Sequence, residues 1–286
     1  MSDTPPPPLC VVSIALYYWG ILIPWDTINH HPSTINMSCD KNKKWFITFG
    51  GPTPNFHNAV NRICKQARNI SAFDRIIGYT EKHLMGDASF WKKHGDFIQS
   101  NTSKGYGYWI WKSYLTKKTL ERMSYNDILV YADAGCMINP HGKPRLLEYF
   151  SIVNASKFGI FSFQMAHLEK TWTKMDAFRC LDADTASVME TGQLVGGVYV
   201  LRKCTHTVEL VDKWYDGCCQ YNMLDDSVST NPNDETFQGN RHDQSIFSVL
   251  RKKHGTETSE IDETWFAPDW SGQGHNYPIW AVRMKY

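Results

Sequence analysis

The sequence predicts an α/β fold with a mostly parallel central sheet and helices on both of its faces. Short apolar runs alternate with longer segments of helical periodicity, and turn residues separate the two kinds of segment. The run DILVYAD (127–133) is apolar at five consecutive positions, which is typical of a central strand covered on both faces. In sheets of this kind ligands bind beyond the carboxyl ends of the strands.

The predicted elements begin at residue 44. WFITF (45–49) predicts a strand and GGPTP a turn, and one face of the helix that follows carries Phe56, Val60, Ile63, Ala67 and Ile70. The later elements are a strand at 75–79, a helix at 108–123, the strand at 127–133, a helix at 144–153, a strand at 158–163, a helix at 173–181, a strand at 194–202, and helices at 205–223 and 242–254. The polar loop at 225–240 is long enough to be functional.

Composition indicates one globular domain over 44–286. Of the 286 residues, 42% are hydrophobic and 21% charged, which is ordinary for a folded domain. The formal net charge of +1 creates no field that would attract nucleic acid, so we predict no nucleic-acid partner. The eight cysteines show no CxxC spacing, and we interpret them mostly as free core residues.

The first 43 residues differ from the rest. MSDTPPPPLC contains four consecutive prolines and predicts an extended tail. Residues 9–25 carry no charge, which makes them a candidate membrane anchor near the lower length limit. However, no basic residue precedes this stretch and Asp26 ends it, so a buried or interfacial segment is the alternative. Localisation stays open between a cytoplasmic protein, which we favour, and a type II membrane-anchored one.

Asp133 is the first candidate functional residue, because it ends the predicted central strand. The small residues Ala134 and Gly135 follow it and would let a phosphorylated ligand and a hard cation approach the backbone. Asp-Ala-Gly is also ordinary turn chemistry, so the tripeptide alone decides nothing. Asp182 and Asp184 form a literal Asp-x-Asp, but they follow a helical segment and are interpreted as a solvated loop or cap.

Five segments together resemble a poorly characterised group of glycosyltransferase-like proteins from bacteria and large DNA viruses, which have the GT-A (Rossmann-like) nucleotide-sugar fold. The segments are GYGYWIWKSYL, NDILVYADAGCMIN, TKMDAF, QLVGGVYVLRK and RHDQSIFSVL, within 44–286. The resemblance implies transfer of a sugar from a UDP- or GDP-sugar to a glycan or other hydroxyl acceptor, with Mn²⁺ or Mg²⁺. Asp133, Ala134 and Gly135 match the reduced Asp-x-Gly form of the family's metal motif, so one metal ligand is missing locally.

Asp133, Ala134 and Gly135 are donor-binding candidates, and the others lie in two more of these segments or, for Arg283, near the carboxyl terminus. Lys112, beside Trp109, is the better candidate for the diphosphate charge, with Arg283 as the alternative. A solvated helix lysine is the competing interpretation of Lys112. Gln193 stands among glycines that would make room for a sugar, although close helix packing explains those glycines equally well.

The segment RHDQSIFSVL supplies the catalytic candidates. Asp243 is the candidate base or acceptor contact, and the alternative is a plain helix cap. His242 is an alternative ligand or orienting group, and Gln244 a contact with the donor sugar. His275 would supply the missing metal ligand, although a single loop histidine is usually solvated. The alternative function is that of a catalytically inactive relative that binds nucleotide or glycan. A metal-dependent phosphohydrolase built on Asp133 is disfavoured, because the sequence has no second acidic cluster with the spacing of a dinuclear site.

Overall fold

The computed structural model describes residues 42–284, which lie within one compact unit, Lys41–Tyr286. The predicted proline-rich tail and the apolar stretch at 9–25 lie outside the described residues. Within 42–284, none of the helices has the length and apolar character that spanning a bilayer requires.

The described chain alternates strands with helices of very different lengths. The strands are β1 (Lys44–Gly50), β2 (Arg75–Thr80), β3 (Ile128–Ala132), β4 (Met137–Ile138), β5 (Ile160–Leu168), β6 (Gly192–Leu194), β7 (Val198–Arg202), β8 (Glu257–Ser259) and β9 (Ile279–Trp280). The helical segments are α1 (Pro54–Asn69), α2 (Glu81–Met85), α3 (Ala88–Ser100), α4 (Gly105–Tyr108), α5 (Ile110–Arg122), α6 (Lys143–Ala155), α7 (Glu169–Trp172), α8 (Met175–Cys180), α9 (Ala186–Met189), α10 (Thr205–Cys218), α11 (Tyr221–Leu224) and α12 (Asp243–His254).

The main sheet has seven strands in the order β2-β1-β3-β7-β5-β6, with β8 also beside β5. β1 pairs in parallel with β2 and β3, whereas β7 is antiparallel to both β3 and β5. β5 pairs in parallel with β8 and antiparallel with β6. Only β6 and β7 therefore run against the common direction of this sheet, and the predicted mostly parallel α/β fold is confirmed.

Alternating side chains of the central strands fill two cores, one on each face of the sheet. Leu129 and Tyr131 of β3 pack with residues of α5, α10 and α12. Ile128, Val130 and Ala132 pack with residues of α1 and α6 on the other face. Side chains two positions apart in a strand share a face. Continuing this period past the end of β3 places residue 133 on the side of α5 and α12.

Several predicted boundaries were wrong, each for a local reason. The predicted helix at 108–123 begins at Ile110, because Tyr108 and Trp109 have left-handed φ angles of 52° and 60°. The predicted strand at 194–202 is divided into β6 and β7, with residues 195–197 between them. The predicted helix at 205–223 is likewise two helices, α10 and α11. Phe56, assigned to the buried face of α1, is 55% exposed.

Candidate active site

Asp133 lies directly beyond β3, at the carboxyl end of the central strand, and its side chain is 41% exposed. The Tyr131 hydroxyl donates a hydrogen bond to its Oδ1 at 2.5 Å. Its backbone N–H donates to the Gly197 carbonyl at 2.8 Å. A Cβ on Gly197 would lie only 2.8 Å from Oδ2 of Asp133, so a side chain there would displace the carboxylate. The carboxylate is thus held from one side and open to solvent on the other.

Lys112 lies behind this carboxylate and joins it to a second one. The side chain comes from α5 and is 3% exposed. Its Nζ is 3.2 Å from Oδ1 of Asp133 and 3.4 Å from Oδ2 of Asp243, and it donates to the Gly196 carbonyl at 3.2 Å. Burial lowers the pKa of Lys112, but the two carboxylates outweigh burial and raise it overall. The competing interpretation of Lys112 as a solvated lysine is therefore wrong, because Lys112 is a buried cation shared by two acids.

Asp243 is the buried member of this group. It is the first residue of α12 and is 3% exposed. Apart from the ion pair with Lys112, its Oδ2 has no hydrogen-bond partner among residues 42–284. Burial raises the pKa of Asp243 to about 7, against the opposing effect of Lys112. Its proton is therefore in exchange near neutral pH, and the charge of the whole group changes there.

This raised pKa predicts a pH-dependent contribution to stability. Between pH 4 and 7 the folded protein keeps a proton on Asp243 that the unfolded chain has released. The contribution is fully present below about pH 4 and is lost as pH rises through 7, at no more than about 1.4 kcal/mol per pH unit. Urea unfolding of the wild type and of Asp243→Asn across this range measures it. A free-energy difference between the two proteins that does not change with pH would contradict the prediction.

A chain of amide hydrogen bonds connects this cluster to a buried glutamate. The Gly196 N–H donates to Oε1 of Gln244 at 2.9 Å, and Nε2 of Gln244 donates to Oε1 of Gln193 at 2.6 Å. Nε2 of Gln193 donates in turn to Oε1 of Glu169 at 2.9 Å. The Lys252 ammonium lies 2.8 Å from Oε2 of Glu169. These side chains position the Gly196 backbone, whose carbonyl faces Lys112.

Glu169 is a residue that the sequence reasoning missed. It is fully buried and also accepts hydrogen bonds from Thr173 and Ser248. Gln193 and Ser248 lie 24 and 79 residues further along the chain. No local motif marks Glu169, because its partners come together only in the folded protein.

His242 precedes α12 and contacts Trp109, the residue that precedes α5. The two rings stack with centroids 5.3 Å apart, and His242 is 9% exposed. Nδ1 of His242 donates to the Leu224 carbonyl at 2.8 Å. Burial lowers the pKa of His242, partly opposed by this hydrogen bond. His242 therefore connects the carboxyl end of α11 to Trp109.

Residues 105–109 explain the unusual string GYGYW, because all five have positive φ angles. A Cβ on Gly105 would lie 2.2 Å from the Trp109 ring, and one on Gly107 would lie 2.6 Å from Ile98. The Trp111 indole N–H donates to the Gly105 carbonyl at 2.8 Å. Each non-glycine residue in this conformation costs on the order of 1–3 kcal/mol. The turn therefore depends on its surroundings for its left-handed shape.

Arginine residues flank the turn that follows Asp133. Nη2 of Arg62 donates to the Ala134 carbonyl at 2.7 Å. The Met284 N–H donates to the Gly135 carbonyl at 3.0 Å, and the ideal Cβ position of Gly135 is 3.5 Å from Cα of Arg283. Ala134 and Gly135 thus contribute backbone and close approach, and the carboxyl-terminal segment lies against them.

His275 lies in the exposed turn before β9, where its ring stacks on His141 at 4.6 Å. The Asn139 amide donates to its carbonyl at 2.6 Å. The structure brings Lys112, Asp133 and Asp243 together, and His275 has no contact with them among the described residues. The two literal Asp-x-Asp acids form surface ion pairs, Asp182 with Lys253 and Asp184 with Arg179.

The side chains around Asp133 do not form a set of ligands that could hold a metal ion by themselves. Across 42–284, no three His, Cys, Asp or Glu side chains are grouped so that they could hold one. The Lys112 ammonium faces Oδ1 of Asp133, where it would repel a second cation. Mg²⁺ takes six oxygen ligands, and Asp133 is the one exposed carboxylate of this group, so water and a bound phosphate would have to supply most of them.

Comparisons with known proteins identify no family. No protein-family model and no curated protein matches the sequence. A glycosyltransferase involved in glycosylation of the major capsid of PBCV-1 is 9% identical, with a TM-score of 0.46 over 83% of this chain and 91% of that one. Mouse xyloside xylosyltransferase 1 is 13% identical, with a TM-score of 0.43 over 83% and 97% of the two chains.

The galactosyltransferase LgtC, solved with donor and acceptor sugar analogues, is 9% identical, with a TM-score of 0.43 over 82% of this chain and 85% of that one. All three TM-scores are below 0.5. Likeness at this level establishes no activity for the chain, and the site has to be interpreted from its own residues.

Proposed function

We propose that the chain is a glycosyltransferase that moves a sugar from a UDP- or GDP-linked donor to a hydroxyl group of a glycan or another acceptor. One observation carries the proposal: the exposed carboxylate of Asp133 ends the central strand and shares the buried cation Lys112 with Asp243. Ligands of mostly parallel α/β sheets bind at this edge. The five-segment resemblance names the reaction that this edge would serve.

The reaction needs both a positive region and a group that accepts a proton. The bond between the sugar C1 and a diphosphate oxygen breaks, and its electron pair stays on the diphosphate. The acceptor oxygen forms the new bond to C1 and loses its proton. Positive groups placed around the diphosphate stabilise the charge that develops on it. A carboxylate beside C1 can take the acceptor proton.

We assign the proton-accepting role to Asp133, since it is the exposed carboxylate of the group. Asp243 is too buried to meet an acceptor directly in this conformation, so its proposed role is to hold the Lys112 ammonium that also faces Asp133. Gln244 and Gln193 use their amides on each other and on Gly196, which makes them positioning residues. His242 positions the loop through Leu224.

The resemblance also implies Mn²⁺ or Mg²⁺. Because the described residues do not form a metal-ligand set, we assign no step to a metal ion. Asp133, Ala134 and Gly135 remain the proposed donor-facing turn, with Trp109 supporting the start of α5 from its stack with His242. His275 has no role in this scheme.

Incubation of the purified protein with a panel of UDP- and GDP-sugars tests the proposal. We expect at least one donor to release nucleotide, faster when an acceptor with free hydroxyl groups is present. Binding of nucleotide with no release in any combination would favour the alternative, a catalytically inactive nucleotide- or glycan-binding protein. Absence of both binding and release would remove the proposal.

A further inference from the structure

We infer that Arg241 and Arg283 bind the diphosphate of the donor and supply the positive charge for its departure without a divalent cation. The inference rests on the proposed function and deepens it. Two side chains from distant parts of the sequence would contact the departing diphosphate. Sugar transfer would then need no metal ion.

The first observation is the setting of Arg241. Its guanidinium lies over the Trp172 ring, 4.1 Å from the centroid, and its Nη1 is 3.6 Å from Sδ of Met165. It forms no ion pair with a carboxylate of the described residues. Stacking on an aromatic ring fixes the orientation of the guanidinium plane and of its N–H groups. This arrangement suits a planar, bidentate contact with phosphate.

The second observation is the setting of Arg283. It is exposed, its guanidinium lies 5.3 Å from the centroid of the Trp265 ring, and no carboxylate within 42–284 forms an ion pair with it. Its backbone packs against Gly135, two residues beyond Asp133. Burial and then the charge of Arg283 lower the pKa of Arg241. Like charges repel each other, and an anion bound between two cations relieves that repulsion.

The third observation is the location of both arginines at one edge of the sheet. Arg283 lies beside the end of β3, and Arg241 contacts Met165 in the second half of β5. β3 and β5 run in the same direction with β7 between them. Gly196 and Gly197 precede β7 at this edge, so the chain between the arginines carries no bulky side chain there. The side chains of Gln244 and Asp133 lie 2.7 Å and 2.8 Å from the ideal Cβ positions of Gly196 and Gly197, so two polar side chains face this part of the edge.

The fourth observation is the balance of charge. The two acids of the site, Asp133 and Asp243, already share the Lys112 ammonium. Arg241 and Arg283 therefore remain as positive charge that these acids do not neutralise. A carboxylate already paired with a lysine is a poor ligand for a second cation, whereas two guanidinium groups match two phosphate groups in charge and geometry.

Calorimetric titration of the full-length protein with UDP, GDP and inorganic pyrophosphate tests the inference, in EDTA and in Mn²⁺. We expect the affinity for the preferred nucleotide to change less than about threefold between the two buffers, because each tenfold change would require 1.4 kcal/mol from the metal. Arg241→Gln and Arg283→Gln should each weaken binding by about 10–100-fold, as expected for loss of a charged hydrogen bond.

Two further variants keep the result interpretable. Arg241→Lys preserves the charge but not the bidentate fork, so it should bind with intermediate affinity. Arg75→Gln is the matched control, because Arg75 is exposed at the start of β2, the opposite edge of the sheet. Its nucleotide affinity should equal that of the wild type.

The outcomes separate this inference from the proposed function. A gain of tenfold or more with Mn²⁺, or unchanged affinity in both glutamine variants, overturns the arginine assignment. The transferase proposal still stands in that case if a donor sugar releases nucleotide. Absence of nucleotide binding in both buffers, together with absence of release, overturns both proposals.

Discussion

Replacing Lys112 with methionine is expected to lower the free energy of unfolding by about 3–5 kcal/mol, the usual cost of breaking a buried ion pair from one side. The reason is the position of its ammonium, 3.2 Å from Asp133 and 3.4 Å from the buried Asp243. Methionine fills similar space but leaves the Asp243 carboxylate buried without a cation. Urea denaturation of the variant and the wild type at pH 8 measures the loss.

A rescue and a surface control make this result specific. Adding Asp243→Asn to Lys112→Met removes the stranded charge and should recover part of the lost stability. Lys117, on the same helix, forms a partly exposed ion pair with Asp212, and Lys117→Met should cost less than about 1 kcal/mol. Equal losses in the Lys112 and Lys117 variants would show that the shared cation contributes nothing special.

Asp133→Asn is expected to lower nucleotide release from the active donor by about 10²–10⁴-fold, the usual contribution of a positioned proton acceptor. Asparagine keeps the shape of the side chain and can still accept from Tyr131 and face Lys112. Folding should therefore be retained. Affinity for UDP or GDP should also change little, because the diphosphate is assigned to Arg241 and Arg283.

Asp182→Asn is the matched control, since Asp182 belongs to the literal Asp-x-Asp and its side chain is 96% exposed. Its release rate should equal that of the wild type.

Nucleotide binding by Asp133→Asn in Mn²⁺ and in EDTA separates two roles for Asp133. A variant that loses nucleotide binding in Mn²⁺ but not in EDTA would indicate a metal ligand, contrary to the proton-accepting role.

The main strands and helices could be predicted from the sequence, because the apolar patterns that indicate them are local. Five consecutive apolar residues in β3 are all buried, and alternate ones face opposite cores. The apolar periodicity of α1 correctly predicted that Val60, Ile63 and Ala67 are buried. Pairing direction is not local, so the reversed β7 could not be predicted from strand–helix alternation.

The candidate site was predictable in its location but not in its electrostatics. A carboxylate at the end of a central strand indicates the ligand-binding edge, and that argument selected Asp133. Whether Lys112 is solvated depends on how many faces of α5 are covered, and α5 is buried at Ile110, Trp111 and Tyr114 as well. The partnership of Lys112 with Asp243 depends on α12, which only the folded chain brings to α5.

The left-handed turn at 105–109 makes the spacing in this part of the chain rigid. The backbone changes from left-handed φ angles at Trp109 to the right-handed helix at Ile110. This change fixes the direction in which α5 begins. Each residue of an α-helix is rotated by about 100° from the one before it. Insertion or deletion of one residue here would turn the Lys112 side chain away from both carboxylates. Related chains that use the same cluster should therefore keep the length of this turn.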